Sequence, residues 1–319
     1  LKLERKKKAV AWLSVASNTL LTLGKLIIGL AIGSVSVISE AIHSGVDLLA
    51  AVIALFAVHA AIKPPDRQHP FGHGKFENIS GTVEALLIFL AAGWIVYEAV
   101  HKLIHPTPLD TLGWGVGVML VSSVVNLIVS HLLFKVGREA DSVALQADGW
   151  HLRTDVYTSA GVMTGLAIIW LGDRIWPTLD LRWLDPAAAI AVALLIVRAA
   201  WHLTKESARD LVDVSLPPEE HDAIVAAIQS LNPTVRGYHH LHTRKSGPFR
   251  FIEFHLLVDP AMSVEQSHAI TEQLEDRIEQ RLARSRVTIH IEPCYGECRA
   301  TCGEGCLLAG GQAAGGREE

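Results

Sequence analysis

Six apolar segments between residues 10 and 204, each long enough to cross a bilayer, constrain this chain more than any other feature. A span needs roughly 20 mostly apolar residues. The segments run from about Val10 to Ile32, Val35 to Ile62, Gly81 to Leu103, Leu112 to Phe134, Leu145 to Leu171 and Asp185 to Leu203. Gly33-Ser34 leaves only a tight turn between the first two, and Pro64-Pro65, Pro106, Pro108 and Pro177 punctuate later breaks. Charged residues make up 19% of the chain, against about a quarter in a soluble protein. A buried, all-helical soluble protein is the competing reading, and the charge distribution argues against it.

Lysine and arginine gather on one side of the spans. The N-terminal tail has Lys2, Arg5, Lys6, Lys7 and Lys8; later breaks on the same side have Lys63, Arg67, Lys75, Lys135, Arg138, Lys205 and Arg209. The opposite side has Lys102, Arg174 and Arg182. The positive-inside rule then places both termini in the cytoplasm, and an even number of spans agrees. The expected location is the inner (plasma) membrane. No secretory signal pattern opens the sequence. The net charge of −5 is too small to suggest a nucleic-acid partner.

Ionisable groups inside spans are costly and mark functional sites. Span two carries His43 and Asp47, and span five carries His151 and Asp155. Each pair is spaced i, i+4 and so shares a helix face. Two such faces together offer two imidazoles and two carboxylates, a set suited to tetrahedral Zn2+. The bland alternative is local His–Asp hydrogen bonding that packs helices. Asp148, one turn earlier, either lines the approach or is a solvated helix end. His59, His101, His105 and His131 read as interfacial residues. In the break after span two, Asp66, His69 and His73 offer three ligands, with Gly72 and Gly74 permitting a tight backbone; a docking loop is the alternative.

Beyond Pro217-Pro218 the pattern becomes that of a soluble domain. Helices are expected over Glu219–Leu231 and Ser263–Leu282, with Ser263 as N-cap. Strands are expected over Gly237–Thr243, Arg250–Val258 and Arg286–Ile291, the first two joined by a KSGP turn. The order α-β-β-α-β fits a ferredoxin-like α+β layer. His239, His240, His242, His255, His268 and His290 crowd this domain, with Glu292 beside the last. His239 and His255 can meet across the hairpin, and His290 and Glu292 share a strand face. These groups suit zinc and related ions; a solvated, histidine-rich surface is the alternative.

With these residues in view, the chain resembles the cation diffusion facilitator family, in its bacterial zinc/iron efflux branch. The motifs are HSGVD, HPFGHGKFE, ADGWHLRTDV, DLVDVSLPPEE, HHLHTRKSGPFRFIEFHL and VTIHIEP, in order over residues 10 to 293. The resemblance implies a homodimer of protomers with a six-helix, all-α transmembrane bundle and a cytoplasmic, metallochaperone-like α+β domain. It implies that His43, Asp47, His151 and Asp155 form the transport site, and that Asp66, His69 and His73 form a loop site. It further implies that His239, His255, His268, His290 and Glu292 form a cytoplasmic site for two ions at the dimer contact. Lys75 and Asp213 match a charged pair joining the two parts. Two positions depart from the pattern: some relatives have Asp where His43 stands, and Asp is familiar where Glu292 stands.

The resulting domain division is 1–209 for the membrane part, 210–293 for the metal-binding dimerisation domain and 294–319 for a tail. The expected function is efflux of a divalent transition metal, Zn2+ first, with Fe2+, Cd2+ or Co2+ as alternatives. Zn2+ is expected both as transported ion and as regulator. Metal and protons compete for the same imidazoles and carboxylates, which gives a route to metal/proton antiport by alternating access. An intramembrane metalloprotease would show HExxH, which is absent, so no enzyme is expected. A non-transporting membrane metal sensor is the remote alternative. The tail holds Cys294, Cys298, Cys302 and Cys306 and reads as either a flexible thiolate scavenger or a disordered extension.

Overall fold

The computed structural model describes residues 2–32, 35–104, 114–175, 183–296 and 305–308. Its contacts divide the chain into two compact units, Leu1–Arg209 and Asp210–Glu319.

The first unit is a bundle of six helices: α1 (Lys2–Ile32), α2 (Val35–Ala61), α3 (Lys75–Ile104), α4 (Trp114–Glu139), α5 (Val143–Ile175) and α6 (Leu184–Leu211). Except for α2, which ends one residue short, each outlasts the expected apolar segment at one end or both, because helical hydrogen bonding continues past the hydrocarbon into polar sequence. Gly33-Ser34, Pro106, Pro108 and Pro177 lie outside the described residues.

Among the described residues, all these helices except α5 contain a stretch apolar and long enough to cross a membrane. The exception has the length, at 33 residues, but His151, Arg153 and Asp155 interrupt its apolar run. The bundle exposes large apolar side chains and buries several charged ones beside its apolar core. Phe56 and Trp94 are 71% and 68% exposed, while Glu77, Glu84 and Asp148 are fully buried. That inversion suits a lipid solvent.

Small residues bring the helices together. A Cβ on Gly81 would sit 2.5 Å from Ser207 Oγ, and one on Gly161 would sit 2.6 Å from Val192 Cγ2. At one end of the bundle, buried Lys7 donates to Glu77 Oε1 at 2.5 Å, and Ser142 donates to the other Glu77 oxygen. This contact ties the starts of α1, α3 and α5 in a fully desolvated ion pair.

The second unit comprises α7 (Pro218–Gln229), β1 (Gly237–Ser246), β2 (Phe249–Val258), α8 (Val264–Arg281) and β3 (Ser285–Pro293). The sheet order is β1-β2-β3, with β1 antiparallel and β3 parallel to β2. The hairpin turns at Gly247, whose φ of +55° favours glycine. Ser263 caps α8 in a reciprocal capping box with Gln266. Ile224, Ile228, Ile252, Phe254, Leu256, Leu274 and Ile278 form the core. Because side chains alternate along β2, Glu253 and His255 take the opposite face.

Part of the tail is docked. Tyr238 N–H donates to Gly305 O at 3.0 Å and Leu307 N–H to Arg236 O at 2.9 Å, against the free edge of β1. Leu307 packs on the core. A Cβ on residue 305 would lie 1.9 Å from Tyr238 O, so only glycine fits there. A wholly disordered extension is therefore incorrect for residues 305–308; Cys298 and Cys302 lie outside the described residues.

Candidate metal sites

The i, i+4 pairs on α2 and α5 meet crosswise. His151 Nε2 lies 3.1 Å from Asp47 Oδ1, and His43 Nε2 lies 4.0 Å from Asp155 Oδ1. Each histidine thus faces the aspartate of the other helix. That exchange follows from the antiparallel run of α2 and α5, which sets the first position of one pair level with the last of the other. Ligand atoms of His43, Asp47 and Asp155 all lie within 4.8 Å of one another. Asp47 and His151 are buried, whereas the His43 side chain is 54% exposed, so the set is open on one side.

Two neighbours of this set escaped the sequence reading. Lys25, buried on α1, donates to Ser44 Oγ at 2.8 Å, beside His43. Glu84, buried on α3, shares a hydrogen bond with Ser80 through Oε1, while its Oε2 has no hydrogen-bond partner. A charged residue inside an apolar span was the available signal for both. Asp148 is also fully buried, which excludes the solvated helix end. It lies within electrostatic reach of Glu84, His151 and Asp47. His59 instead faces its own helix backbone at Leu55 O, and His101 stacks on Tyr97; His105 lies outside the described residues.

The second cluster sits between α2 and α3. Asp66 Oδ1 lies 3.4 Å from His69 Nδ1, and Asp66 Oδ2 lies 3.3 Å from His73 Nε2. The backbone N–H groups of Gln68 and His69 both donate to Asp66 Oδ1, at 2.9 and 2.7 Å, building an Asx turn. The His69 N–H bond holds the Asp66 carboxyl below its ordinary range; desolvation opposes it, and the Gln68 bond and both imidazoles assist. Gly72 adopts φ +91°, but Gly74 has no positive φ, so only the first needs to be glycine for backbone reasons. His73 is buried and stacks on Phe76, which fixes the position of this candidate ligand.

The third cluster lies on the open sheet face. His239 pairs with His255 across β1/β2, and His255 pairs with His290 across β2/β3, so three histidines form one rung. Glu292 reaches back to it: Oε2 is 3.0 Å from His239 Nε2, and Oε1 is 2.8 Å from His255 Nδ1 and 3.7 Å from His290 Nε2. Burial pushes the Glu292 carboxyl up, but the hydrogen bonds from His239 and His255 and their charge outweigh it, leaving it below its ordinary range. His268 is not brought to this cluster within the chain. It stands exposed on α8, 3.5 Å from Glu272. Lys75 opens α3 in the first unit; Asp213 belongs to the second, 3.6 Å from Arg244.

Residues 11–212 match the family model described as the cation efflux transmembrane domain. Residues 216–294 match that of the cation efflux protein, cytoplasmic domain. The chain belongs to the cation efflux (cation diffusion facilitator) family. As a cation efflux protein it is a transporter and not an enzyme. An uncharacterized transporter of Synechocystis sp. is 38% identical over 261 residues, 82% of each chain. The cation-efflux pump FieF of Salmonella newport is 32% identical over 288 residues, 90% of this chain and 92% of the relative. Among solved structures, the zinc form of the putative zinc transporter CzrB is 38% identical over 27% of this cation efflux protein and 99% of that chain, with a TM-score of 0.26. The metal-bound C-terminal domain of CzcD from Thermotoga maritima is 30% identical, covering 26% of this chain and all of its own, with a TM-score of 0.23.

Proposed function

We propose that this cation efflux transporter exports Zn2+ in exchange for H+, through His43, Asp47, His151 and Asp155, working as a homodimer by alternating access. The observation that carries the reading is the crosswise meeting of the two His–Asp pairs between α2 and α5. Two imidazoles and two carboxylates favour zinc over manganese, which prefers oxygen-rich sites. The set holds a metal only with its imidazoles neutral and carboxylates ionised, so arriving protons displace the ion and departing protons admit it. Its exposed His43 side supplies an opening for that exchange. The N-terminal and C-terminal ends lie in the cytoplasm of the inner (plasma) membrane, by the lysine and arginine bias.

The loop cluster of Asp66, His69 and His73 binds a second ion, and the rung of His239, His255 and His290 with Glu292 binds regulatory zinc. His268 joins the latter site only from the dimer contact. The test is uptake of Zn2+, Fe2+, Cd2+, Co2+ and Mn2+ into proteoliposomes with internal pH recorded. Zinc uptake coupled to opposite proton movement is the expected result. Zinc flux without proton movement would remove the antiport, preference for another ion would remove zinc, and no flux of any ion would leave the sensor reading.

A further inference from the structure

The HHLH stretch of β1 holds more histidine than the cluster just described uses. In an unbroken strand successive side chains alternate faces, so His239 would stand opposite His240 and His242. Here the alternation breaks. His239 pairs with His255 and His242 with Glu253, so three steps along β1 match two along β2. The extra residue makes a β-bulge. Its consequence is visible on both faces: Tyr238 and Leu241 pack on the core and Thr243 is buried, while His239 and His242 share the face of His255.

The bulge places His240 at φ +52°. Glycine is the natural residue for such a position, and a side chain is kept there against a backbone penalty. That side chain lies among the ligands. The His240 ring centre is 4.6 Å from that of His239 and 5.2 Å from that of His255, and those two are 4.9 Å apart. Three imidazoles bound to one tetrahedral zinc, with Zn–N distances of about 2.0 Å, set their ring centres roughly 5 Å apart. Independently, His239 Nδ1 is buried without a hydrogen-bond partner.

We propose that His240 is a ligand of the ion held by His239, His255 and Glu292, making a site of three imidazoles and one carboxylate and leaving His290 to the second of two ions on this face. The His240 side chain is exposed. His242, with its ring 6.2 Å from that of His240, stays outside the triangle. A set closed by four protein ligands retains its ion, whereas a site that passes ions on keeps a position open. The ion here is therefore resident and regulatory, not cargo in transit. The inference rests on the reading that this face binds metal.

The test uses the full-length protein in detergent carrying Asp155→Ala and His73→Ala, which silence the other two clusters. Zinc affinity is read by competition with a chromophoric chelator, and the number of bound imidazoles by X-ray absorption. In this parent, His240→Gly, which tolerates the left-handed backbone, is expected to lose about tenfold or more in affinity and one of three imidazoles. His240→Asn, which also favours that backbone, gives the same comparison should glycine loosen the bulge. His242→Gly is expected to change neither quantity. Unchanged affinity and imidazole count in both His240 variants would overturn this inference alone. A parent that binds no zinc would overturn it together with the reading beneath it.

Discussion

His151 Nε2 and Asp47 Oδ1 stand 3.1 Å apart across two helices and 104 residues of sequence. His43 and His151 thus each face the aspartate of the neighbouring helix. A ligand set built this way acts as a unit, and residues in one unit are non-additive. In zinc transport, Asp47→Ala and His151→Ala are each expected to be severe, and the double variant little worse than either. Initial rates of the three proteins give the answer. Losses that add in free energy would mean that the two side chains act separately.

The Lys7–Glu77 ion pair is buried at both ends. Removing one partner leaves an uncompensated charge, which costs about 3–5 kcal/mol, whereas replacing both with apolar residues of similar size is often neutral. Glu77→Ala should therefore lower the unfolding midpoint in detergent sharply, and the Lys7→Met/Glu77→Leu double variant should recover most of it. A double variant as unstable as the single would show that the charge is not what holds α1 to α3.

Glu292 keeps its charge to lower pH than an ordinary glutamate, because His239 and His255 hydrogen-bond to it more strongly than burial opposes ionisation. Its lowered folded-state pKa gives a definite sign. The stabilisation of the three-strand rung is present above the unfolded glutamate value, roughly 4.3, and is lost as pH falls through the lower folded value. Infrared difference spectra between wild type and Glu292→Gln should show this carboxylate protonating only below the ordinary glutamate range. Protonation at or above that range would contradict the hydrogen-bond assignment.

Gly305 fits against Tyr238 O only because it has no Cβ. Gly305→Ala should release residues 305–308 from β1. Hydrogen exchange is the measure: the Tyr238 and Leu307 amides, which are bonded across that edge, should exchange faster in the variant. The β1/β2 amides should not change. Equal protection of Tyr238 in both proteins would mean that the tail does not cover the strand edge in solution.

Much of this was legible beforehand, and the reasons are physical. Apolar runs of spanning length and a period-two pattern gave the helices and the strands, because burial imposes both periods directly. The two His–Asp pairs were legible because polar groups in a span stand out. Lys25 and Glu84 carried the same signal singly, without a repeated spacing to draw attention to them. The crosswise pairing needed the antiparallel direction of α2 and α5. The bulge at His240 could not be read, since an alternating pattern predicts the opposite face for it. The docking of residues 305–308 rests on backbone contacts that leave no mark in composition.

The most direct test of the central claim is zinc uptake into proteoliposomes under an imposed pH gradient, comparing wild type with Asp155→Ala. The account predicts gradient-driven zinc flux in the wild type and its loss, by about tenfold or more, when this ligand is removed. Equal flux in the two proteins would contradict the assignment of the α2/α5 set as the path of the ion.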